Sequence, residues 1–174
     1  VRPVFLFAED TSDFAKQAFT ICQQKKEDVT ALRHLVLGTA KSTPGHLAKN
    51  KVAENIIKLR DAKDLHSFTP LMVAACQGHG NIARFLLERE CDGNASNIYG
   101  GTAPMCAAYT DSVAIVKLLV EAKASFAPLP GVDKDNVQNM GTTALMYAAS
   151  ANSKSVVQYL LAVAEAGSAD VDLD

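Results

Sequence analysis

The chain has 174 residues, of which 48% are hydrophobic and 21% charged, with a formal net charge of −2. That length suits one ordinary domain or a short run of stacked units, with enough apolar material for a core. The charge balance gives no electrostatic reason for a nucleic-acid or anionic-membrane partner, and no apolar run approaches the roughly 20 residues that span a bilayer.

In chain order, Val4-Phe-Leu-Phe-Ala8 is apolar but too short for the core of a signal peptide with its flanks. Thr11-Ser-Asp13 is placed to cap a helix running to about Lys26, with Phe14, Ala18, Ile21 and Cys22 on one side. Asp28 is placed to cap a second, with Leu32, Leu35 and Val36 facing inward. A third, carrying Val52, Ile56, Ile57 and Leu59, follows the break at Ser42-Thr-Pro-Gly45 and leads into Asp64 without a usual connector.

From there a short pattern recurs three times: Thr69-Pro-Leu-Met-Val-Ala-Ala75, Thr102-Ala-Pro-Met-Cys-Ala-Ala108 and Thr143-Ala-Leu-Met-Tyr-Ala-Ala149. The threonines suit helix N-caps, because a hydroxyl can accept from an otherwise unpaired backbone N–H. Pro70 falls at the first helical position and Pro104 within the first turn, where a missing N–H costs nothing. The alanine pairs give each helix a small-residue patch that lets a neighbour approach closely. A second helix follows in each copy, with its apolar stripe on Ile82, Phe85 and Leu86, then Ile115, Leu118 and Leu119, then Val156, Tyr159 and Leu160. Copies one and two are 33 residues apart in both helices and copies two and three 41, so both helices keep register and the extra residues lie between copies two and three.

This chain therefore resembles the ankyrin repeat family over roughly residues 62–174. Two helices agree in each of three copies, and Ala62–Leu71, Asp92–Gly101, Gly78-His79 and Gly167-Ser-Ala-Asp-Val-Asp172 are similar to the family's connectors and turns. The resemblance implies an all-α fold, an ankyrin-type helix-turn-helix solenoid with an N-terminal helical cap. Residues 1–61 would form the cap, because a solenoid end exposes an apolar face that something must cover. The repeats would span about 62–94, 95–135 with an insertion, and 136–167, with a further repeat begun at 168–174.

Three departures from the family pattern stand out. The family's histidine in T-P-L-H is replaced by Met72, Met105 and Met146, which should pack as a buried apolar column. The glycine expected after each second helix is Glu90 in copy one and Lys123 in copy two, so those turns should be reshaped. The insertion around Phe126-Ala-Pro-Leu-Pro-Gly131 and Val132–Asn136 should project from the connector edge.

Sites of chemistry are not evident. There is no G-x-S-x-G, no phosphate loop with G-K-[ST] and no H-E-x-x-H, so the expectation is a non-enzyme with no cofactor and no metal. Cys22, Cys76, Cys91 and Cys106 lack paired C-x-x-C spacing and read as free, mostly buried thiols in a reducing, intracellular compartment. His79, in the turn after a repeat helix, would bond backbone between repeats, as in the family.

The family's usual binding surface combines the connector tips with the exposed side of the first helices. Carried over, it comprises Leu65, His66, Phe68, Val73 and Gln77; then Ile98, Tyr99, Cys106 and Tyr109; then Asn139, Met140, Tyr147 and Ser150. The expected partner is another protein, met by a chain that is monomeric alone, with no nucleic acid and no membrane. The alternative is a substrate-docking part of a larger enzyme or of a secreted bacterial effector acting in a host cytosol. The opening at Val1 and the unfinished unit at Ala169-Asp-Val-Asp-Leu-Asp174 motivate it.

Overall fold

Hydroxyl and carboxylate caps start the helices where the sequence places them. Ser12 Oγ accepts from the Ala15 N–H at 3.3 Å, and Asp28 Oδ1 from the Ala31 N–H at 3.0 Å. Thr69, Thr102 and Thr143 accept from the N–H groups of Met72, Met105 and Met146 at 3.2, 3.5 and 3.2 Å. Each bond satisfies one open donor of a helix start and contributes about 1 kcal/mol.

The computed structural model describes residues 6–8, 11–37, 46–127 and 142–165. In them the helices are α1 (Asp13–Gln23), α2 (Val29–Leu37), α3 (His46–Arg60), α4 (Pro70–Gln77), α5 (Gly80–Leu87), α6 (Ala103–Tyr109), α7 (Val113–Glu121), α8 (Ala144–Ser150) and α9 (Lys154–Glu165). The described residues contain no strand, only an antiparallel bridge between Ser96 and Thr102. The fold is all-α. α1 stops at Gln23, short of Lys26, because Gln24 turns to an extended backbone with ψ 147°.

Two rows of helices stack side by side. In one, α4 packs between α1 and α6, and α6 between α4 and α8; in the other, α5 lies between α2 and α7, and α7 between α5 and α9. α1 and α2 thus continue both rows, and α3 packs across the two of them. Asn55 of α3 donates to the carbonyls of Leu35 and Val36, closing the C-terminal end of α2. Phe7 packs edge-on against Phe19 of α1, ring centroids 5.2 Å apart.

The small-residue seam makes the first row close. Ala74, Ala75, Ala107, Ala108 and Ala148 have no accessible surface. Polar bonds then cross from one helix pair to the next. His79 Nδ1 donates to the Cys22 carbonyl at 3.1 Å, so the proton sits on Nδ1; this is the role the resemblance implies. Thr110 Oγ1 donates to the Ala75 carbonyl at 3.1 Å, and Ser153 Oγ to the Tyr109 carbonyl at 3.3 Å. Carboxylates in the inter-helix turns cap the second helix of the following pair: Glu27 accepts from the Ile82 N–H at 2.8 Å, and Asp111 from the Val156 N–H at 3.0 Å.

Two expectations need correction. The turns at Glu90 and Lys123 are not reshaped: both residues hold the left-handed conformation, at φ 59° and 57°. The backbone bonds that close the helices, from Cys91 N–H to the Leu86 carbonyl and from Ala124 N–H to the Leu119 carbonyl, still form at 3.2 and 2.9 Å. Those bonds outweigh the strain of a Cβ at positive φ. The methionine column is buried only in part. Met72 and Met105 lie in the core, but Met146 is 55% exposed, because no described helix covers the far side of α8. Ala149 and Leu161 are exposed at the same end.

Three substitutions probe this packing in urea denaturation. Lys123→Gly should raise stability by about 1 kcal/mol, by removing left-handed strain from an exposed position. Asp111→Ala should lower it by about 1–2 kcal/mol, through loss of the cap on α9. Ala107→Leu, on the crowded helix between α4 and α8, should cost at least about 2 kcal/mol.

Candidate protein-interaction surface

The connector tips are built twice on one plan. Before α4, Asp64 N–H donates to the Phe68 carbonyl at 3.1 Å, and Asp64 Oδ1 accepts from the N–H groups of His66 and Phe68 at 2.9 and 2.8 Å. Before α6, Asn97 N–H donates to the Gly101 carbonyl at 3.0 Å, and Asn97 Oδ1 accepts from Tyr99 and Gly101 at 2.9 and 2.8 Å. The fourth residue of each turn, Ser67 or Gly100, has φ 60° or 76°. The side-chain oxygen thus plays the part of a backbone carbonyl in a tight turn. The connector that α3 seemed to omit is complete.

The tips are tied to each other. Ile98 N–H donates to the His66 carbonyl at 2.9 Å, and Leu65 N–H to the Leu6 carbonyl at 2.7 Å. The rings of His66 and Tyr99 stack at 5.8 Å and 27°. His66 Nδ1 lies 3.7 Å from Asp64 Oδ2, a buried carboxylate oxygen with no hydrogen bond. On this frame Leu65 and Ile98 occupy equivalent positions, 54% and 42% exposed, with Leu6 beside them at 49%. Phe68 is half-buried and packs on the core.

The first helices supply the rest. Tyr109 is 61% exposed, Ser150 is exposed, and Cys76, Gln77, Cys106 and Tyr147 are half-buried. Val73 is 1% exposed and offers no surface. The resemblance implies an open helix face at Val73, but α4 is flanked by α1 on one side and α6 on the other. Asn139 and Met140 lie outside the described residues, as does the insertion beyond Ala127. The last described part of that insertion is anchored: Phe126 is buried, and its carbonyl accepts from the Ala144 N–H at 3.1 Å.

Four contributors to the surface carry no mark in the sequence expectations for it. Leu6 joins the tips through a backbone bond with no sequence signal. Met146 is exposed because its row ends in the described residues. Asp64 and Asn97, which shape the tips, could have been found: both precede their capping threonine by five residues. The Cys76 thiol is lowered from its ordinary value by its neighbour Cys106, and Cys106 is raised by Cys76 and by its burial. No helix of the described residues is long and apolar enough to cross a membrane.

The family model for ankyrin repeats in three copies matches residues 13–128 and 94–173. Its first match begins with α1, consistent with α1 and α2 standing in line with the later pairs. The chain is also similar to protein fem-1 homolog A-like of Mus musculus, 32% identical over 96 residues. That alignment covers 55% of this chain and 13% of the mouse protein, so the likeness concerns a small part of the relative. Fold, register and family match agree: the chain belongs to the ankyrin repeat family.

Proposed function

We propose that this chain is a non-catalytic protein-interaction module that holds a protein partner along its connector tips and the exposed side of its first helices. Ankyrin repeats are generally protein–protein interaction modules, and the chain belongs to that family. The observation that carries the reading here is the alignment of exposed apolar and aromatic groups on a rigid edge. Leu65 and Ile98 are exposed on hydrogen-bonded tips, and Tyr109 is exposed at the C-terminal end of α6.

A solvated surface has no use for three such groups, two of which, Leu65 and Ile98, stand in repeat register. A binding surface does, because an aromatic ring buries a large area with few torsions to freeze, and tips held by backbone bonds lose little freedom on docking. The four cysteines are free thiols, which accords with a reducing, intracellular setting.

Parallel affinity capture tests the assignment, using the native chain, an Ile98→Ser/Tyr109→Ala variant and a control, Glu121→Ala, on the exposed side of α7. Proteins enriched by the native chain and the control should fall about tenfold with the variant, while its melting temperature stays within about 3 °C of native. An identical captured set for all three chains would rule this surface out.

A further inference from the structure

The first helices carry no charge. α4, α6 and α8 hold 8, 7 and 7 residues, and not one is Asp, Glu, Lys, Arg or His, although 21% of the chain is charged. That share would give each helix roughly one or two. In the second row charges stand exposed, with Arg84 on α5, Lys117 and Glu121 on α7 and Lys154 on α9. Asp111, in the turn after α6, is turned to α9, where it accepts from Ser155 Oγ at 2.9 Å and from the Val156 N–H at 3.0 Å. Among the first-helix residues that reach solvent, two sets keep the repeat spacing: Cys106 and Tyr147, then Cys76, Tyr109 and Ser150.

The polar groups of this face are mostly engaged within the chain. Thr110 Oγ1 donates to the Ala75 carbonyl at 3.1 Å and lies 3.0 Å from Ser112 Oγ, and Ser150 Oγ donates to the Tyr147 carbonyl at 2.9 Å. Carbonyls at the helix ends are taken as well: Ala75 by the Gly78 N–H, Cys106 by the Thr110 N–H and Ala149 by the Asn152 N–H. Among the described residues this leaves chiefly the Gln77 amide and the Tyr109 hydroxyl for a partner's polar groups. An extended peptide pressed on such a face would strip water from backbone N–H and C=O groups that nothing there can pair. A charged side chain would be desolvated without a counter-charge. A helix pairs its own backbone and can turn an uncharged stripe to the face.

Resting on the reading of this edge as a protein-binding surface, we propose that the first-helix face takes an α-helix of its partner. The helix lies across α4, α6 and α8, with an uncharged apolar stripe against Cys76, Cys106, Tyr109 and Tyr147. Three helices at the usual spacing of roughly 8–10 Å make a face about 25–30 Å across. A helix of about 17–20 residues spans it. The two thiols are small and polarisable, and the two rings bury area with few torsions to freeze. Binding of this kind gains little from long-range charge, so it should vary little with salt.

Selection from a phage-displayed library of random 20-residue peptides, with the intact chain as bait, tests this. The enriched peptides should carry apolar residues at i, i+3, i+4 and i+7, with Asp, Glu, Lys and Arg kept off that stripe. As synthetic peptides they should gain helicity on binding, and their affinity should change less than about twofold between about 0.05 and 0.5 M NaCl. Two variants of equal size then separate charge from the loss of the ring. Tyr109→Asn should weaken the peptides about fivefold, and Tyr109→Asp by about a further tenfold. Charged or extended peptides, a steep loss of affinity with salt, equal losses in the two variants, or no enriched peptide would each overturn the helix assignment. Those outcomes leave the edge itself to the capture experiment above. Peptides that bind both variants as tightly as the native chain occupy another surface, and they overturn the reading of the edge as well.

Discussion

The close approach of the first helices through paired alanines is the constraint on which the rest of the structure depends. Side chains of one carbon at positions 74–75 and 107–108 let α4 and α6 pack without bulk between them. At that separation Thr110 Oγ1 reaches the Ala75 carbonyl, and the matching approach of α8 to α6, with Ala148 in the seam, lets Ser153 Oγ reach the Tyr109 carbonyl. The same spacing aligns the tips so that Ile98 N–H meets the His66 carbonyl. A larger residue between α4 and α6 would loosen the first and the last of these contacts together, since packed interiors have little room to absorb added volume.

Because neighbours cover most of each helix, little is left to face outward. α4 has α1 and α6 on its flanks and α5 behind it, and Val73 is buried there, while Tyr109 at the C-terminal end of α6 is exposed. The proposed recognition surface is thereby confined to an edge: the tips, and the exposed residues of the first helices. Rigidity comes with that confinement. Each tip is closed by an Asx side chain and by backbone bonds, so its exposed leucine or isoleucine is presented in a fixed geometry.

Much of the fold was legible in the sequence because a repeat reports its own register. Thr69, Thr102 and Thr143 mark helix starts by a local bond that needs no tertiary information, and the structure places all three caps as expected. Ser12 is a weaker copy of the same signal: it caps α1, yet no Met-x-Ala-Ala follows it, so α1 and α2 were separable from the repeats on paper. Burial was harder to read. Whether Met146 or Val73 is covered depends on which helix stands next to it, and that is a property of the neighbour. The left-handed turns at Glu90 and Lys123 show the converse, a local preference overruled by the helix-closing bonds around it.

Amide hydrogen exchange of the chain with and without a captured partner tests most directly whether recognition belongs to one edge. Added protection should concentrate in Leu65–Phe68, Ile98–Gly101 and Cys106–Thr110, with α5 and α7 unchanged. Protection gained along α5 and α7, with the tips unaffected, would contradict it.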